Sequence, residues 1–229
     1  RMGRILAEVG NAVGAREELF RTRGLDSPAA LRAARSAGTV PGGTPGDIFL
    51  DLEADPFVGD VGLEYLFGYV SRDARGAQRY TAEWAFDRDE EKRAFERFVD
   101  FVMAQWTRHP GLHIYHYAPY EPSALKRLMG RYATREDAID RMLRAGLFVD
   151  LYAVAKQSIR ASVESYTIKN LEVFYGFERK ARLADVRPAL AKLQAHLELG
   201  NVLEITPDLK DVVVRYNQDD CLSALKLRD

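Results

Sequence analysis

At 229 residues and 47% hydrophobic composition, the chain is long enough to bury a full core, as one domain of ordinary size with an appendage. Its single cysteine, Cys221, excludes a disulfide framework and a cysteine-based zinc site and points to a reducing, cytoplasmic setting. A formal net charge of −1 supplies no global basic field for tight, non-specific duplex binding, and no apolar run approaches the about 20 residues that a bilayer span requires.

Residues 1 to about 37 read as short helices, with Leu25-Asp26-Ser27-Pro28-Ala29-Ala30-Leu31 supplying a cap, a first-turn proline and a helix start. The stretch Val9-Gly10-Asn11-Ala12-Val13-Gly14 with Arg23-Gly24-Leu25 faintly resembles a helix-hairpin-helix, but a packing appendage is the preferred reading. Gly38 to Gly46 is rich in proline and glycine and reads as a linker. Residues 1–45 are thus expected to be a helical appendage and linker, and residues 46–229 the main domain. No signal-peptide pattern opens the chain, and its first and last residues suggest a piece of something larger.

Three strands follow, Asp47 to Ala54, Tyr65 to Ser71 and Arg79 to Phe86, joined by hairpin-like turns such as Asp73-Ala74-Arg75-Gly76. An amphipathic helix from about Asp89 to Arg108 directs Phe95, Phe98, Val99, Val102 and Trp106 to the core. Then come a strand from Leu112 to Tyr117, helices near Ser123 to Tyr132 and Glu136 to Ala145, and a strand from Leu147 to Leu151. The remainder is mainly helical. Antiparallel strands leading into alternating strands and helices predict an α/β fold, a mixed five-stranded sheet flanked by helices.

Three of these segments carry acids where a core would not want them. In the first strand Ile48, Leu50 and Leu52 share one face, so Asp51 and Glu53 point together from the other. Adjacent carboxylates repel, and a divalent cation with oxygen ligands is the usual reason for them to stay ionised; two solvated acids at a strand end is the alternative. The Leu112 to Tyr117 strand runs into Ala118-Pro119-Tyr120-Glu121, which sets Glu121 at a helix N-terminus, as ligand or as cap, with His116 upstream. The late helix Val212 to Leu225 sets Tyr216 and Asp220 one turn apart on a face continued by Val213, Ala224 and Leu227, and turns Asp219 outward. Basic stretches run from Lys126, Arg127 and Arg131 through Arg135, Arg141 and Arg144, then Arg179, Lys180, Arg182 and Arg187, and read as solvated faces rather than a phosphate track.

Together, acid-x-acid on the first strand, His116-Tyr117-Ala118-Pro119-Tyr120-Glu121 and Tyr216-Asn217-x-x-Asp220 resemble the three exonuclease motifs of the DEDD superfamily, in its DEDDy branch, on the ribonuclease H-like fold. The resemblance spans Asp47 to Asp229, including Ser165-Tyr166-Thr167-Ile168-Lys169-Asn170-Leu171. It is closest to the exonuclease domain predicted within bacterial proteins that also carry a RecB-like nuclease segment and a superfamily 1-type helicase. The general superfamily has aspartate at the second motif, where this chain has Glu121.

The resemblance implies 3′-5′ hydrolysis of nucleic acid, DNA before RNA, with two divalent cations, Mg²⁺ or Mn²⁺, as cofactors. Asp51, Glu53 and Asp220 would hold them, with Asp51 bridging and Glu121 bound directly or through water, while Tyr216 with Glu53 would orient the attacking water. Lys169 is a candidate phosphate contact and His116 a candidate substrate contact. The RecB-like nuclease and helicase segments would be covalently linked partners, and no membrane partner is expected. Two other classes remain: a non-hydrolytic module that guides nucleic acid, and a metal-dependent endonuclease. Neither a phosphate-loop pattern nor a dinucleotide-binding glycine fingerprint is present.

Overall fold

In the computed structural model the described residues are 40–229, apart from Ala74 and Arg160. The expected N-terminal helices and the helix-hairpin-helix likeness lie outside them.

β1 (Ile48–Asp55) forms where the alternation demands it, with Ile48, Leu50 and Leu52 in one apolar cluster and Phe49 in another on the opposite face. β2 (Leu63–Arg72) pairs antiparallel with β1, and β3 (Gln78–Trp84) pairs antiparallel with β2. β4 (Ile114–His116) and β5 (Phe148–Asp150) extend the other side of β1 in parallel, giving the order β3-β2-β1-β4-β5. This is the expected mixed five-stranded sheet. The β1–β2 register slips between Glu53 and Ala54, leaving Tyr65 as the extra residue of a bulge. Tyr65 and Leu66 therefore enter the same cluster, which a regular strand would not permit.

One face of the sheet is covered by α1 (Arg88–Arg108), α2 (Tyr120–Tyr132) and α3 (Glu136–Arg144). α1 opens on a capping box: Asp87 accepts from Glu90 N at 2.7 Å while Glu90 accepts from Phe86 N at 2.8 Å. It buries Phe95, Phe98, Val99 and Val102, with Trp106 half-buried beside them. α2 starts three residues before the expected Ser123, because Pro122 falls in the first turn, where a missing N–H costs nothing.

The other face carries α4 (Leu151–Ser158), α5 (Ile168–Tyr175), α6 (Leu183–Glu198) and α7 (Pro207–Arg228). α7 runs longer than expected at both ends, begun by the Thr206 cap and Pro207. It crosses β1 and β2 and ends at a clasp. Arg228 reaches Asp47 at 2.6 Å and lies 5.1 Å from the ring centres of Phe49 and Tyr115. Asp47 also accepts from Thr44 N at 2.8 Å and His113 N at 3.0 Å, so the strand entrance, β4 and the end of α7 share one buried carboxylate.

Candidate metal centre

β1 turns Asp51 and Glu53 toward α7, and α7 returns Asp220, so that one carboxylate oxygen from each lies within 4.8 Å of the other two. Asn217, fully buried one turn before Cys221, sits among them. Its Nδ2 donates to the Asp51 carbonyl at 3.1 Å, to Asp51 Oδ2 at 2.7 Å and toward Glu53 Oε1 at 3.4 Å. Its Oδ1 accepts from the Tyr80 hydroxyl at 2.9 Å. Only glycine at position 68 permits this: a Cβ there would lie 1.6 Å from Asn217 Oδ1.

Burial is the main reason that the Asp51 carboxyl is pushed well above its usual range, followed by the charges of Asp220, Glu53 and Glu121. Glu53 is pushed up to about 8 by burial and then Asp220, with the Asn217 bond and Lys169 opposing. Such a pair must hold a proton or a cation. The donors are hard carboxylate oxygens, which suit Mg²⁺ or Mn²⁺ rather than a thiophilic metal, so the residues present fit a divalent cation.

Glu121 is placed by the turn that leads from β4, the parallel neighbour of β1, into α2, and is buried in the first turn of α2. It lies outside the group of three, yet its charge raises both Asp51 and Glu53. Its Oε2 has no hydrogen-bond partner among the described residues and faces His116 Nδ1 at 3.5 Å. Burial raises the Glu121 carboxyl, and His116 opposes that rise. His116 is 2% exposed and also meets the Ala118 carbonyl at 2.6 Å. Ala118 adopts φ 74°, a strained value for alanine, while Asp150 at the end of β5 accepts from its N–H at 2.9 Å. Nothing in the sequence pattern singled out Asp150, because its partners are main-chain groups.

Asp220 meets two cations. Arg179 reaches its Oδ1 at 2.5 Å, and the Lys169 ammonium lies 3.2 and 3.3 Å from its two oxygens. Arg179 is also held by Glu172 at 2.9 and 2.6 Å. The expectation that Arg179 lies on a solvated face is corrected: its side chain is 8% exposed, drawn in by the two acids. Asp219, expected to face outward, is likewise 2% exposed; it accepts from the N–H groups of Lys180 and Ala181 at 2.8 Å each. Helix phase alone could not reveal that a loop packs there. Tyr216 lies with its ring 4.9 Å from the Lys169 ammonium and 5.8 Å from the Arg179 guanidinium. Burial and the neighbouring carboxylates raise its phenol above the usual range, so it stays protonated at working pH.

Clefts open on both sides of the centre. One, of about 500 Å³, has Glu53, Glu64, Tyr120 and Arg127 in its walls. The other, of about 400 Å³, is lined by Lys169, Arg187, Leu190 and Tyr216 among others.

A mixed sheet with an acidic cluster between its central strand and α7, flanked by open clefts, is a nuclease-type fold with carboxylates grouped to suit a divalent cation. The model of one family, described as the RNase_H superfamily, matches residues 48–229, and the chain belongs to that superfamily, whose fold is generally that of a hydrolytic nuclease. No curated protein and no solved structure matches the chain. Among the described residues no helix is long and apolar enough to cross a membrane.

Proposed function

We propose that the domain is a metal-dependent 3′-5′ exonuclease of the DEDDy type, acting on DNA before RNA and working inside a longer protein with RecB-like nuclease and helicase segments. The observation that carries this reading is the convergence of Asp51, Glu53 and Asp220 within 4.8 Å, with Tyr216 one turn before Asp220 on the same helix. Two bound divalent cations would supply a water activated at neutral pH and relieve charge on the leaving oxygen. Asp51, Glu53 and Asp220 would hold them. Glu121 would bind directly or through water by Oε2, which faces His116 and has no hydrogen-bond partner among the described residues. Tyr216, protonated, orients the attacking water by its hydroxyl and, with Glu53 nearby, helps to position its proton. Lys169 contacts the scissile phosphate. His116 bears on the substrate by holding Glu121.

The test is incubation of the full chain with 3′- and 5′-labelled DNA and RNA in Mn²⁺ or chelator. Progressive shortening from the 3′ end in Mn²⁺, absent with chelator and in Asp51→Asn, is the expected result. Cutting of circular DNA would establish an endonuclease instead. One observation favours the non-hydrolytic guiding module: Asp220 is already paired with two cations. Wild-type protein inactive on every 3′-ended substrate, alone and within its longer parent, would decide for that module.

A further inference from the structure

The two cations on Asp220 are built differently. Arg179 is a strut: Glu172 grips its guanidinium through two bonds, and Glu172 in turn accepts from Ser223 Oγ at 2.8 Å. Ser223 Oγ lies 2.7 Å from the Tyr175 hydroxyl, and the residues after Arg179 are pinned by Asp219. With a second carboxylate of its own, Arg179 can share Asp220 without depending on it. Among the described residues Lys169 has no such second anchor. Its backbone is fixed in the first turn of α5, behind the cap supplied by Thr167, but its side chain is 32% exposed and borders the cleft shared with Arg187 and Tyr216. Its carboxylate contact is Asp220, and its other contact is the Tyr216 ring. An ammonium on a four-carbon stem can leave one anion for another, whereas a guanidinium gripped on two sides cannot.

We infer that Lys169 is an exchangeable counter-ion: its ammonium holds Asp220 while the centre is metal-free and moves to a substrate phosphate when the carboxylates take up divalent cations, while Arg179 stays. This rests on the metal-dependent reading above. The physical cause is competition. A cation bonded to Asp220 occupies oxygens that Lys169 now contacts and repels the ammonium beside it, and a phosphate entering from the cleft offers the displaced charge a new partner.

Two binding measurements test the exchange without relying on hydrolysis. Calorimetric titration of the chelator-stripped chain with Mn²⁺ should show Lys169→Met binding the metal about five- to tenfold more tightly than wild type, because the competitor is gone. Lys169→Arg should return toward wild-type affinity. Titration of the Mn²⁺-loaded protein with thymidine 5′-monophosphate should show Lys169→Met about tenfold weaker than wild type, for loss of one charge-assisted contact. Equal or weaker Mn²⁺ binding by Lys169→Met would make the lysine a structural partner of Asp220 and overturn the exchange, as would undiminished nucleotide affinity. A wild type that passes both tests yet hydrolyses nothing would refute the exonuclease reading alone. A wild type that binds no Mn²⁺ would refute both.

Discussion

The ring of Tyr216 is held by cations while its hydroxyl is the group proposed to meet water, which separates packing from chemistry. Tyr216→Phe keeps both ring contacts. Turnover on a 3′-labelled strand should fall about 10- to 1000-fold, on the order of 1.4–4 kcal/mol of transition-state stabilisation, while Mn²⁺ affinity and the thermal midpoint hold. Unchanged turnover would remove the hydroxyl from the mechanism. Glu121→Gln separates ligand from cap in the same way. It removes a charge that raises Asp51 and Glu53, so the metal-free protein should be no less stable, while hydrolysis drops strongly. Near-wild-type hydrolysis would leave Glu121 only a buried partner of His116. The acids on β1 and α7 were legible in the sequence because periods of two and 3.6 residues assign a face to each. Arg179 and Asp219 were not: their burial comes from Glu172 and from loop N–H groups 38 and 39 residues away, which no local period encodes.

At the scale of elements, the five strands and the three helices α1 to α3 were legible from alternation and amphipathicity to within a few residues, whereas on the other face only the part of α7 from Val212 to Leu225 was delimited and α4, α5 and α6 were foreseen only as helical content. The bulge at Tyr65 was not legible, because Tyr65 and Leu66 are both apolar and either could have faced either way. Gly68 was equally silent, since a glycine within a strand does not say what approaches it. Gly68→Ala should force Asn217 or α7 outward and destabilise the chelated protein by about 1–3 kcal/mol in urea unfolding. Mn²⁺ affinity should fall with it, because Asn217 loses its hold on Asp51 and Glu53. Wild-type stability in this variant would mean that α7 does not pack on β2 as closely as Asn217 requires.

For the whole molecule, the raised carboxyls couple the metal centre to global stability. Between the unfolded and folded values the folded chain binds more protons than the unfolded one, so stability falls as pH rises. For Glu53 that window runs from about 4.5 to about 8, with a slope of up to about 1.4 kcal/mol per pH unit. Asp51 and Glu64, both raised first by burial, act in the same direction. Thermal unfolding in chelator should therefore show a lower midpoint at pH 8 than at pH 5.5. Mn²⁺ must displace the retained protons, so its stabilising effect should be larger at pH 8. Asp51→Asn should flatten the slope and remove most of the Mn²⁺ effect. Equal midpoints at both pH values in chelator would show that the carboxylates do not crowd one another in solution.

The Arg228–Asp47 clasp joins residues 181 apart, and Asn217 meets Asp51 across 166. During synthesis β1 leaves the ribosome long before α7, by roughly ten to thirty seconds at ordinary elongation rates of about 5–20 residues per second. Throughout that interval the nascent chain carries Asp51 and Glu53 without Asp220, Asn217 or Tyr216. The apolar face later covered by α7, including Phe49 and Val70, meanwhile waits for its helix or for a chaperone. Under the proposed function, hydrolytic competence would arrive only once α7 has been made and has docked on β1.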